Sequence, residues 1–322
     1  MDKMMKKTFL TLAISIFALT VSAQDFATIN PDARTAAMGD ATVAATADAY
    51  SVYNNAAAPL FEYHTAQVGY LYAPWMPSEQ KGSDLMSVAG YVKLGQRHSI
   101  SIGGRMFRET KLSVDGEFPF IPTDENGNPN YKVGAFTRPN GKSLDVAYGL
   151  KVSDEVALAV TARYLHYANG LGDKYSAVNF DVAAYSQLPL SYREGAVVNI
   201  GAQVSNAGFS ITDKGFRQPL TAKVGASLFT PFGDAHSLLA EVDLGYRFAP
   251  VGMKSLLANI GVEYSLMQLL KFRAGYAHNI YDYATVGLGL RFMHVQVDAS
   301  YWAAGSNCPW RNTFRVGVGL EF

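Results

Sequence analysis

From residue 65 onward the chain alternates. In 143–152, SLDVAYGLKV, the residues Leu144, Val146, Tyr148, Leu150 and Val152 share one side, and Ser143, Asp145, Ala147, Gly149 and Lys151 share the other. An extended strand turns successive side chains to opposite faces, so this is one apolar face and one polar face. The stretches 196–205, 237–248 and 313–322 repeat the pattern. Fourteen such segments begin near Thr65, Leu85, Ser99, Ser143, Val156, Ala177, Ala196, Leu220, Ser237, Leu256, Lys271, Ala284, Val295 and Thr313. About ten residues at about 3.3 Å each, tilted, cross the hydrocarbon layer. A soluble sandwich would need turns at similar spacing, but not a face of large apolar residues on nearly every strand. Lipid outside and a polar lumen inside do demand it. The pattern therefore predicts an all-β fold, a 14-stranded antiparallel transmembrane β-barrel over residues 65–322.

The connections give an independent reading. Links after even-numbered strands are short: 95–98, 153–155, 267–270 and 293–294. Links after odd-numbered strands tend to be longer, at 108–142, 206–219 and 303–311. Two links, 188–193 and 230–235, exceed a minimal turn, and 279–282 is short. Outer-membrane barrels have short periplasmic turns and longer external loops, and an even strand count puts both chain ends in the periplasm. Aromatic residues assigned outward near strand ends (Tyr70, Tyr72, Trp75, Tyr164, Tyr246, Phe248, Tyr264, Phe292 and Tyr301) suit interfacial girdles. Phe322 ends an outward-facing strand and matches the C-terminal aromatic signal of barrels handled by outer-membrane assembly machinery.

The first residues add a route to that membrane. Lys3, Lys6 and Lys7 precede an apolar stretch at 9–21, and Val21-Ser22-Ala23 precedes Gln24. That is the layout of a secretory signal peptide over 1–23, with the mature chain expected to begin near Gln24. No later stretch is apolar for about 18 residues, so transmembrane helices are not expected. A formal net charge of zero points to no nucleic-acid partner. The single cysteine, Cys308, excludes an internal disulfide and any multi-cysteine metal site.

Candidate chemistry is sparse. His64, His98, His166, His236, His278 and His294 form no pair with metal-ligand spacing. A lipase-type site would need a Ser and a His on adjacent outward positions, and no such pair stands out. The inward charges Arg105, Asp145, Arg163, Asp181, Glu241, Asp243, Arg247, Glu263, Arg273, Arg291, Asp298, Arg315 and Glu321 either line a pore or fill a closed lumen with ion pairs. Their mixed signs favour the filled lumen. In 123–130, TDENGNPN, oxygen ligands recur like the start of a calcium loop. The glycine at the sixth loop position and the Glu at the twelfth, where Ala135 stands, are missing, so a solvated turn is the better reading. The glycines at 287–290 and 317–320 have no following helix and are not nucleotide motifs. The long link carries Phe118, Phe120 and Ile121 between prolines, an apolar element able to fold into the barrel mouth or meet a partner. No enzyme activity and no cofactor are expected.

Residues 24–64 lie between the signal peptide and the first strand. They are rich in alanine and weakly patterned. Small side chains let a segment pack inside a barrel, Gly39 permits close backbone approach, and Arg34, Asp40 and Asp48 can pair with wall charges. The segment is thus expected to plug the lumen. Its residues Pro31, Asp32, Ala33 and Arg34, then Met38, Gly39 and Asp40, then Asp48, Ala49 and Ser51, then Asn55 and Ala57 follow a spacing that resembles the PorV/PorQ family of Bacteroidetes outer-membrane proteins, PorV more than PorQ. Asn30 stands where Ser is usual, and Ala56 stands where a proline would sit. The resemblance implies a FadL-like barrel in the outer membrane, embedded in its lipid. It implies one of two roles. The first is a type IX secretion component that binds or shuttles proteins with C-terminal sorting domains, with translocon or attachment-complex subunits as further partners. The second is a transporter of long-chain fatty acids or other hydrophobic small molecules.

Overall fold

The structure is a computed structural model and describes residues 26–78, 81–113, 136–170, 172–212, 218–248, 255–306 and 308–322. Fourteen strands form the wall. They are β1 (Ala66–Pro74), β2 (Asp84–Leu94), β3 (His98–Arg108), β4 (Asn140–Lys151), β5 (Val156–Ala168), β6 (Lys174–Pro189) and β7 (Val197–Ser210). The second half comprises β8 (Thr221–Phe232), β9 (His236–Arg247), β10 (Ser255–Leu266), β11 (Leu270–His278), β12 (Asp282–Phe292), β13 (Val295–Ala304) and β14 (Phe314–Glu321). Each strand pairs antiparallel with its chain neighbours, and β14 returns to β1 with Gln67 opposite Glu321 and Tyr72 opposite Val316. The barrel is closed, so no sheet edge runs its full length open. Among the described residues no helix is long and apolar enough to cross a membrane.

Strand starts lie within a few residues of the alternation. β4 and β6 begin earlier than expected, at Asn140 and Lys174, because pairing continues into polar residues that carry no hydropathy signal. β8 runs on through Pro231 to Phe232, which shortens the link expected at 230–235 to 233–235. The long link expected at 108–142 spans 109–139. It opens with Leu112–Ser113 paired to Phe136–Thr137. The start of β1 and the end of β14 share a rim with the short links, which by the loop rule is periplasmic.

Burial follows parity. Leu144, Val160, Val182 and Leu288 are more than half exposed on the outer face, whereas Asp145 is wholly enclosed. Trp75 is a correction. It was assigned to the outer girdle, but parity with Leu71 and Ala73 turns it inward, where it is 4% exposed and meets Trp302. The wall carries one β-bulge. Register shifts between Phe180 and Val182, and Asn206, at φ 63°, donates its backbone N–H to Asp181 Oδ1.

The core lies inside the barrel. Residues 26–61 occupy the lumen with one short helix, α1 (Ala33–Ala36). Phe26, Ala36, Tyr50, Val52 and Leu60 of this segment cluster with Leu71, Leu85, Phe107, Leu165 and Tyr185 of the wall.

Candidate functional site

The N-terminal segment is built from its own short polar contacts. Asp32 caps α1, accepting from the backbone N–H of Arg34 at 2.8 Å and of Thr35 at 3.1 Å. The same carboxylate accepts from Asn54 Nδ2 at 3.1 Å, tying the two ends of the segment together. Arg34 then crosses to the wall. Its Nε donates to Glu263 Oε2 at 3.0 Å, and Nη1 and Nη2 donate to the carbonyl and hydroxyl of Thr46 at 3.0 and 2.7 Å. Asp48 stands 4.0 Å from Nη1. Burial opposes the Arg34 charge, yet Glu263, Asp48 and Asp32 together raise its pKa above the ordinary value. The Asp48 pKa also rises, which for an acid favours the neutral form. Burial and the Asp32 carboxylate raise its pKa well above the usual carboxylate range, against the pull of Arg34 and the Tyr50 N–H.

Close approach to the wall needs missing side chains. Gly39 sits at φ 68°, and a Cβ there would stand 2.6 Å from the Ile260 carbonyl and the Tyr276 nitrogen. Opposite it, Gly261 and Gly275 leave room for Met38 and Gly39, and Gly287 leaves room for Ala37. Around this contact Gly39 N–H donates to Thr285 Oγ1 at 2.9 Å, Thr285 donates to the Ala37 carbonyl at 2.8 Å, and Asn259 donates to the Gly39 carbonyl at 2.5 Å. Asp40, half-buried at φ 58°, accepts from Asn30 at 2.8 Å and Tyr283 at 2.5 Å.

The next turn reads backbone amides with carboxylates. Thr42 and Val43 N–H donate to Asp243 Oδ2 at 2.7 and 3.1 Å, and Ala44 N–H donates to Glu241 Oε1 at 3.0 Å. Asn55, fully buried, donates to the carbonyls of Val43 at 2.8 Å and Ala184 at 3.0 Å. Ser51 pairs with the backbone of Asp48, and Ala49 packs at Gly69. Pro31, Ala33, Met38 and Ala57 are buried in the same segment. Phe61 leaves the lumen under Lys151, whose ammonium lies 4.5 Å over its ring.

The inward charges form networks rather than an open channel. Arg163 bonds Asp145 and, at 3.0 Å, Asp181; Arg273 bonds Glu263 and Asp298, both at 2.6 Å. Arg315 lies over Trp302, with its guanidinium 3.8 Å from the ring centroid. Besides a small cavity of about 20 Å³ at Asp32, Tyr50 and Gln296, two larger ones border the segment among the described residues. One of about 140 Å³ lies toward the outer rim among Asn30, Asp40, Arg163, Asp181, Asn206 and Lys223. The other, about 520 Å³, lies toward the periplasmic rim among Arg34, Glu62, Gln187, Glu263, Lys271 and Arg291. Both linings are chiefly polar and charged.

The other expected residues are not brought to this site. Phe118, Phe120 and Ile121, and the stretch 124–130, lie outside the described residues. Phe322 sits at the seam, its carbonyl accepting from Thr65 N–H at 2.7 Å and its ring exposed. Among the described residues no cluster of three His, Cys, Asp or Glu could hold a metal. One pair escaped the sequence reading. His166 and Ser176 face outward on neighbouring strands with Nδ1 and Oγ 3.0 Å apart. No carboxylate or amide bonds the second imidazole nitrogen among the described residues, so the pair lacks the third member of a nucleophilic triad. The wall glycines were seen as inward, but their role as sockets was missed. Pairing them with the small residues of 36–43 was the available signal.

The family model for the type IX secretion system protein PorV matches residues 17–215. No curated protein matches. Among solved structures, the toluene transporter TbuX of Ralstonia pickettii aligns at 12% identity and TM-score 0.56, covering 90% of this chain and 96% of that one. The Pseudomonas putida toluene transporter TodX aligns at 11% identity and TM-score 0.54, covering 89% and 96%. At such identities the likeness concerns the fold.

Proposed function

The chain belongs to the PorV family of type IX secretion system proteins, and on that premise we propose that it is a non-catalytic outer-membrane component that binds secreted proteins by their C-terminal sorting domains at its outer rim. The observation that carries this reading is the filled lumen. The segment 26–61 bonds to β3, β6, β9, β10 and β12, right around the wall, and acts as a plug. A barrel filled in this way has its working surface outside. The roots of the longest external link are fixed for that purpose. Asp84 accepts a two-pronged contact from Arg108 at 2.7 and 2.8 Å and a third from Arg138 at 3.1 Å. Arg138 also donates to the Glu109 carbonyl at 2.7 Å, and Tyr167 donates to the Glu109 carboxylate at 2.8 Å. The link that carries Phe118, Phe120 and Ile121 therefore starts from a braced frame. The remaining partners are translocon or attachment-complex subunits on the same rim.

Co-precipitation of a sorting domain with the full-length barrel tests the reading. Retention is expected, and a deletion strain should fail to display its surface cargo. Unchanged display in that strain would count against it. The second reading, transport of hydrophobic molecules, draws on the fold shared with TbuX and TodX. It calls for an apolar chamber beside the plug, and the two larger cavities bordered by described residues have chiefly polar linings. An apolar molecule co-purifying inside the barrel would favour it.

A further inference from the structure

Apart from the exposed His278–Asp282 pair at the outer ends of β11 and β12, and histidines at strand ends, the outer face of the described strands gathers charge in one place. Even-numbered residues of β3, β4, β5 and β6 point outward, and lysine or arginine at outward positions of the described strands occurs only as Arg108, Lys142 and Lys174. All three lie at the outer ends of neighbouring strands. Register sets Arg108, Asn140, Ala168 and Lys174 in one row across four strands, and Met106, Lys142, His166 and Ser176 in the row below. Strands stand about 4.8 Å apart, so the patch spans about 14 Å across the wall. Below it the wall turns apolar at Leu144, Tyr164 and Val178. The patch therefore sits where headgroups of the outer leaflet meet the hydrocarbon.

Two features ask for an anion. Arg108 is held by Asp84, but Lys142 and Lys174 are exposed and make no ion pair or hydrogen bond among the described residues. Lys142 also stands directly opposite His166 in the register. Around the two ammonium groups are neutral hydroxyl partners, Tyr164 Oη and Ser176 Oγ, 3.2 Å apart. Ammonium groups with hydroxyl donors suit phosphate oxygens, and the acyl chains of the same molecule would lie along the apolar wall below.

We propose that Lys142 and Lys174, with His166 and Ser176 between them, bind the phosphate of a phosphorylated glycolipid of the outer leaflet. The site is independent of cargo binding and of the plug. The test uses the full-length barrel in detergent micelles, titrated with bisphosphorylated lipid A and followed by native mass spectrometry. Wild type should retain the lipid. K142Q/K174Q should bind it about tenfold or more weakly, and K142R/K174R should restore binding. R193Q, on the periplasmic rim, should match wild type. Heat-modifiable mobility on a gel establishes that each variant is a folded barrel. Equal affinity of wild type and K142Q/K174Q would overturn the proposal, as would equal affinity for dephosphorylated lipid A. Inorganic phosphate in large excess should leave the lipid bound; displacement by it would make the patch a free-anion site and overturn the lipid assignment.

Discussion

Leu288 and Gly287 are neighbours in β12 and answer to different rules. Leu288 faces lipid, 58% exposed, with Val286 and Leu290 on the same face. It need only be large and apolar, because lipid selects hydropathy and not shape. Gly287 faces the luminal segment, where Ala37 fills the place of its side chain. Next to it Thr285 both accepts from Gly39 and donates to Ala37. The outer face is thus a degenerate code that many residues satisfy. The inner face is a set of particular pairings, those of Thr285 with partners 246 and 248 positions away. Substitutions should therefore rank by which partner they orphan, not by how hydrophobic they are.

The strongest break of that ranking comes at Glu263, which receives Arg34 at 3.0 Å, Arg273 at 2.6 Å and Lys271 at 3.6 Å. E263L would leave three enclosed cations facing one another. A loss of about 3–5 kcal/mol is expected in equilibrium unfolding of the barrel from lipid vesicles. A loss under about 1 kcal/mol would mean that the lumen is wet enough to screen them, and the specific-pairing view of the inner face would fail. On the outer face the comparable insult is a charge in lipid. L288R, near the middle of β12, should cost about 2–4 kcal/mol in the same assay. L288I should change stability by less than about 0.5 kcal/mol. If L288I cost as much as a lumen substitution, the outer face would be as shape-specific as the inner.

A smaller effect sharpens the inner rule without touching charge. Asn55 donates to the Val43 and Ala184 carbonyls and accepts from Ala57 N–H at 3.1 Å. N55A removes these while leaving a small residue like its neighbours. A cost of about 1–3 kcal/mol is expected from the buried groups left without partners. Proteolysis of 26–61 should rise in parallel, since Asn55 joins two parts of the plug to β6. Unchanged protection would show that backbone packing alone holds it.

Legibility in the sequence divides along the same line. The outer code has a period of two, and it placed fourteen strands, their faces and the asymmetry of their links from single residues such as Leu144 against Asp145. Its failures were local. Trp75 was assigned by composition where parity pointed inward, and β4 and β6 outran their apolar signal into Asn140 and Lys174. The inner code has no period. The charges of Arg34 and Glu263 were visible, but their pairing depends on which strand the plug crosses, and no local pattern fixes that. The sockets at Gly261, Gly275 and Gly287 carry no hydropathy signal, and only Met38, Gly39 and Ala37 standing opposite them give them a role. The outward pair His166 and Ser176 was missed because adjacency across strands follows register, and register in long polar strand ends has no hydropathy marker.

Asp48 offers the finest cut between the two codes, because its substitution should change a slope more than a stability. Burial and Asp32 hold its pKa well above the usual carboxylate range. The folded state thus binds the proton more tightly than the unfolded state, where the group titrates near about 4. At pH below that value both states are protonated and there is no penalty. As pH climbs toward the folded-state pKa, the unfolded chain ionises first, and folding loses stability progressively. D48N keeps an oxygen to accept from Tyr50 N–H, now at 2.8 Å to Oδ1, and cannot ionise. The stability difference between D48N and wild type should therefore grow with pH above about 4, in favour of D48N, by about 1 kcal/mol or more at neutral pH. Parallel pH profiles for the two proteins would mean that Arg34, 4.0 Å away, compensates the carboxylate fully. Asp48 would then belong with Glu263 among the paired charges of the lumen rather than among those the plug keeps at a cost.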